Sequence, residues 1–130
     1  MLSEDKEDRE WWQDLDPVAE VLLSEIWEKI VREAKGSAHY KKLAQAVSNR
    51  KGPWPDEIRY FIQYSEDMLV DYGMVIYKGK PMVPEALQQG VLASLESRSQ
   101  GVRDMLAKAS AAVWWPEMYE DIVRMTGSTT

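Results

Sequence analysis

The chain contains no cysteine. A disulfide, a thiolate metal ligand and a cysteine nucleophile are therefore excluded. It contains one histidine, His39, so a multi-histidine metal site and a second catalytic imidazole are excluded as well. Counting alone thus removes most zinc sites and many hydrolase sites. No apolar run approaches the roughly 18 residues that span a bilayer. No basic start leads into a short apolar segment, so no secretory signal is read. The expectation is a soluble intracellular protein, with nucleus and cytoplasm not distinguished. What is present is 130 residues, 45% of them apolar, with six tryptophans. That is enough for one domain with a real core, and too apolar for a wholly disordered chain.

Charge is unevenly placed. The formal net charge is −6. Residues 1–16 hold seven acids and two bases, a net of −5, which leaves −1 for the rest. The body is nearly neutral and carries an acidic leader. Phosphate neutralisation needs clustered lysine and arginine. The densest basic stretches are Tyr40-Lys41-Lys42 and Asn49-Arg50-Lys51, which is the ordinary content of a solvated face. The leader would repel nucleic acid.

Hydrophobic spacing divides the chain into three parts. Residues 1–16 read as an acidic tail, with Trp11 and Trp12 as possible interaction anchors. Residues 17–52 read as a helical pair. Asp16-Pro17 is a good helix start. Val18, Val21, Leu22, Ile26, Ile30 and Val31 follow at helical spacing, and Gly36 is a natural stop. A second helix runs from Ser37 to about Val47, with Tyr40, Leu43, Ala44 and Val47 on one face. Gly52-Pro53-Trp54-Pro55 breaks it. In residues 53–130, Asp56 to Tyr64 reads as a short helix or turn. Short apolar runs at Met68, Met74 and Met82 are separated by turns containing Gly73 and Gly79, which predicts a β-hairpin or three-strand meander. Pro81 marks the last strand as an edge. Pro84 opens a helix through Leu87, Val91, Leu92 and Leu95. Gly90 inside it costs about 1 kcal/mol relative to alanine, which packing must justify. Val102, Met105, Leu106 and Ala109 predict another helix. Pro116 starts the last one after a Trp114-Trp115 corner. The expected fold class is mostly α with a small β-hairpin, the C-terminal helices forming a three-helix bundle.

From Pro53 onward the order of motifs resembles one known family. The pieces are Trp54-Pro55-Asp56-Glu57-Ile58-Arg59, then Asp71-Tyr72-Gly73-Met74-Val75-Ile76-Tyr77-Lys78-Gly79, then Met82-Val83-Pro84 with Leu87. Leu95-Glu96-Ser97-Arg98-Ser99-Gln100-Gly101-Val102 follows, and Val113-Trp114-Trp115-Pro116-Glu117-Met118 with Asp121-Ile122 closes the set. Together they resemble the small zinc-binding His-His-Cys-Cys region that precedes the catalytic core of gypsy-class LTR retrotransposon integrases. Ser24 to Val47 resembles, more loosely, the helical linker upstream of that region. The resemblance implies a motif core of Gly101, Trp114, Trp115, Pro116 and Met118. It also implies a part in integrase self-association, in holding element DNA ends and so in DNA integration.

The zinc ligands of that family are not kept. Glu96 and Ser99 stand where the resemblance places the two histidines. Thr129 stands near the first cysteine, and the second cysteine would fall at or beyond Thr130. One carboxylate with neutral hydroxyls does not make a zinc site. The reading is no metal and no cofactor, with Glu96 solvated and Ser99 capping the following helix. A structural zinc can supply roughly 10–16 kcal/mol to a small domain, so something must replace it. Truncating a buried tryptophan costs about 3–5 kcal/mol. Trp114, Trp115, Met105, Met118 and Met125 are candidates, with the helices around residues 17–47 packing on the bundle as its support.

No enzyme constellation is found. His39 has no partner ligand in sequence, and Glu66-Asp67 and Glu120-Asp121 are adjacent pairs whose side chains point apart. No serine lies in a nucleophile elbow and no glycine run cradles phosphate. The functional expectation is non-catalytic: an integrase-derived module for protein interaction or self-association, either a retroelement remnant or a host-adopted copy. The alternatives are residual, weak nucleic-acid binding and an N-terminal fragment of a longer integrase polyprotein. No membrane partner is expected.

Overall fold

A computed structural model describes residues 17–49 and 52–126. Trp11, Trp12 and Thr129, singled out above, lie outside the described residues. Helix α1 is Pro17–Gly36. Its positions Leu22, Leu23, Ile26, Ile30 and Ala34 are buried, one stripe at three- and four-residue spacing. Ser37 breaks the helix and starts the next. Its backbone is extended and its Oγ accepts the Tyr40 N–H at 3.1 Å, capping α2, Ala38–Ser48.

The short helix or turn expected over Asp56 to Tyr64 is a 3₁₀ helix, Asp56–Asp67. With three residues per turn, side chains three apart eclipse one another. Ile58 and Phe61 are buried at that spacing, and Tyr64 continues the row half-buried. The apolar period is therefore three, which suits this helix.

Three short strands follow: β1 Met68–Asp71, β2 Met74–Tyr77 and β3 Lys80–Pro81. They form an antiparallel sheet in the order β1-β2-β3. Asp71 pairs with Met74, and Tyr77 with Lys80, across two-residue turns. Both turn residues have positive φ in each case: Tyr72 (55°) and Gly73 (77°), then Lys78 (50°) and Gly79 (81°). This is the type I′ geometry whose twist matches the strands. The expected edge at Pro81 is covered. Its carbonyl accepts the Trp114 N–H at 3.1 Å, and the Val83 N–H donates to the Trp114 carbonyl at 3.0 Å. Trp114 thus runs parallel beside Met82 as a one-residue extension of the sheet.

Helices α3 (Glu85–Ser97), α4 (Val102–Ala112) and α5 (Met118–Met125) complete the chain. The architecture is mostly helical with a small antiparallel sheet, as the sequence predicts. The sheet separates two apolar clusters. On one side Met74 and Ile76 of β2 meet α1, α3, α4, α5 and Trp115. On the other side Val75 meets Tyr40, Leu43 and Val47 of α2, with Ile58 and Phe61. The N-terminal helical pair therefore divides. α1 supports the C-terminal helices, while α2 packs across the sheet from most of them.

Two local expectations are corrected. Ser99 does not cap the following helix: its Oγ donates to the Leu95 carbonyl at 2.6 Å, closing the end of α3. The start of α4 is held by Asp104, whose carboxylate accepts the Gln100 N–H at 2.9 Å. Gly90 is exposed, and a Cβ there would meet nothing within 4 Å, so packing does not account for it. Among the described residues no helix is long and apolar enough to cross a membrane.

Candidate interaction surface

Four rings from three separate segments form a continuous row. Tyr60 and Tyr64 of the 3₁₀ helix lie edge-on at 6.0 Å between centroids. Tyr64 meets Tyr77 of β2 at 5.6 Å and Trp114 at 5.1 Å, again edge-on. Tyr77 and Trp114 stack at 4.1 Å. These are the offset and edge arrangements that ring quadrupoles favour. The row is open to solvent. Tyr60 is 49% exposed, and Tyr64, Tyr77 and Trp114 are half-buried. Lys78 Nζ lies 5.4 Å from the Tyr77 ring centre. Lys80, the cross-strand partner of Tyr77, brings a second cation to the same face.

Beyond Tyr60 the row opens into a groove of about 740 Å³. Its walls come from the α1–α2 turn, the 3₁₀ helix, the start of α3 and the Pro116-Glu117 turn. The Tyr60 hydroxyl is pushed up to about 12, chiefly by its hydrogen bond to Tyr64 and by desolvation, with Glu117 and Glu120 adding to the rise. Tyr40 lines the inner wall. Its hydroxyl donates to the Met82 carbonyl at 2.8 Å and accepts the Val75 N–H at 3.0 Å. Burial holds this hydroxyl well above the usual tyrosine range. The Met82 N–H bonds the Val75 carbonyl directly at 2.7 Å, so the other half of that strand pair runs through the tyrosine.

The motif residues occupy different depths. Trp115 is 1% exposed, and its Nε1–H donates to Asp121 Oδ2 at 2.9 Å. Met118 is buried beside it in the same cluster. Trp114 and Pro116 are half-buried, and Gly101 is on the surface. Gly101 has φ 96° and ψ 172°, a backbone reserved for glycine. Glu96 is exposed. Among the described residues no three His, Asp or Glu side chains gather to hold a metal ion. His39 Nε2 lies 3.2 Å from the Glu57 carbonyl oxygen, a local tie between α2 and the 3₁₀ helix. Asp121, one of the adjacent acids weighed above, also pairs with Arg124.

Reasoning along the chain missed the aromatic row and the groove. Tyr60 and Tyr64 carry no signal when read singly, and the motifs that hold Tyr77 and Trp114 do not show that the two rings stack. No known protein family, no curated protein and no solved structure matches the chain.

Proposed function

We propose that the chain is a non-catalytic module of retroelement integrase descent that works by association with a protein, a second copy of itself included. The partly exposed row Tyr60, Tyr64, Tyr77 and Trp114 carries this reading. Tyrosine and tryptophan are enriched at interface centres because one ring buries much area at small entropic cost. The descent rests on the ordered motifs from Trp54 to Ile122. Sedimentation velocity across a wide concentration range tests the self-association form. The expected result is a larger species that grows with concentration and is weakened by joint Tyr64→Ser and Tyr77→Ser substitution. A strictly monomeric chain would contradict that form.

A second reading is favoured by Lys78 and Lys80 beside Tyr77. Rings flanked by cations are what single-stranded nucleic acid stacks upon. A gel shift that fades steeply with salt would support it. The near-neutral body and acidic leader favour the protein reading.

A further inference from the structure

We infer that the groove beside Tyr60 receives a cationic, arginine- or lysine-bearing segment of a partner protein. The assignment rests on the interaction-module reading and deepens it. Four carboxylates line the groove, Glu33, Glu85, Glu117 and Asp121, and no lysine or arginine does. They come from three places in the chain: Glu33 from α1, Glu85 from the first turn of α3, and Glu117 and Asp121 from the cap and first turn of α5. Asp121 is already engaged by Trp115 and Arg124. Glu33, Glu85 and Glu117 have no cationic partner among the described residues. Elsewhere, Glu25, Asp56, Glu57 and Asp104 are each paired with a lysine or arginine. Three carboxylates without a cationic partner therefore face one concavity that no lysine or arginine lines.

The groove also supplies apolar surface. Tyr60 and Phe61 contribute rings, set edge-on at 5.5 Å. An exposed ring beside carboxylates suits a guanidinium or ammonium, which gains from the ring face and from the acids together. A groove of about 740 Å³ also falls within the roughly 300–1,000 Å³ of ordinary ligand clefts. Nucleic acid is disfavoured at this place by like charge.

The test is fluorescence anisotropy of a labelled alternating Gly-Arg peptide with the full chain, at moderate salt. Joint Glu85→Gln and Glu117→Gln substitution is expected to weaken binding about tenfold, because it removes two attractive charges from the site. Joint Glu4→Gln and Glu7→Gln substitution in the leader changes net charge equally and is expected to cost less than about twofold. Tyr60→Ala keeps every charge and is expected to weaken binding about threefold through the lost ring contact. Circular dichroism confirms that each variant keeps its helices. Equal losses in the groove and leader variants would overturn the assignment, as would absence of peptide binding at millimolar concentration. Sedimentation of the same samples separates the two levels. Concentration-dependent association without peptide binding removes this groove assignment and leaves the interaction reading. Association abolished by the groove variants makes the occupant a second copy and overturns a separate partner. Absence of both association and peptide binding removes both.

Discussion

Replacing Tyr40 by phenylalanine removes one oxygen from the interior and leaves two backbone groups without their partner. The Val75 N–H and the Met82 carbonyl both end on that hydroxyl, and Val75 is 0% exposed. An orphaned buried donor or acceptor costs about 1–3 kcal/mol. Allowing for partial relaxation, the expected loss is about 2–4 kcal/mol, a midpoint depression on the order of 10 °C for a chain of this size. Urea unfolding at neutral pH measures it. Tyr119→Phe, at a residue 62% exposed, is the control and is expected to cost less than about 0.5 kcal/mol. The same hydroxyl contributes to alkaline stability. Its folded pKa lies above its unfolded value because burial disfavours the phenolate, with the Val75 N–H pulling partly the other way. Its contribution is therefore full below about pH 10 and falls above it, by up to about 1.4 kcal/mol per pH unit. Tyr40→Phe is expected to remove its share of that slope. A loss near zero at neutral pH would refute the reasoning, because it would mean that the Val75 N–H closes directly onto Met82.

Gly90→Ala is expected to stabilise by about 0.5–1 kcal/mol in urea, since the site is an exposed helix interior with open space for a Cβ. The two positive-φ positions around α4 and α5 should respond in opposite directions. Glu117 has φ 70°, so Glu117→Gly is expected to raise stability by about 1 kcal/mol, whereas Gly101→Ala is expected to lower it by about 1–3 kcal/mol. Removing residues 1–50 takes away Leu22, Leu23, Ile26 and Ile30, which share a core with Met105, Trp115 and Ile122. That shortened chain is expected to lose its cooperative urea transition, and unchanged stability would contradict the supporting role of α1.

The long helices were legible because burial follows spacing. Leu22, Ile26 and Ile30 recur at helical period, and α1 and α2 lie within a residue or two of their predicted bounds. The hairpins were legible because Gly73 and Gly79 supply the backbone that type I′ turns require. The helix over Asp56–Asp67 was read only in part, because its period of three is lost in a search for 3.6. Tyr40 looked like one more apolar position on α2. Its partners lie 35 and 42 residues away, and no local pattern reports a hydroxyl inserted into a strand pair. Ser99 was assigned to the wrong helix because a serine between two helices can bond either, and its proximity to the Leu95 carbonyl decides. The groove draws its carboxylates from three separated segments, around Glu33, around Glu85 and over residues 117–121, so no window along the chain shows them together. Trp115 was singled out by the motif order, yet its bond to Asp121 came only from the fold.

Apolar and aromatic packing holds the C-terminal half together. Glu96 is solvated, Ser99 is spent on a helix end, and Trp115, Met105 and Ile122 fill the interior. Thermal unfolding with and without a strong chelator, beside metal analysis of the purified chain, tests this most directly. The expected result is one midpoint under both conditions and no stoichiometric zinc. A midpoint that collapses with chelator, or one zinc ion per chain, would contradict the claim.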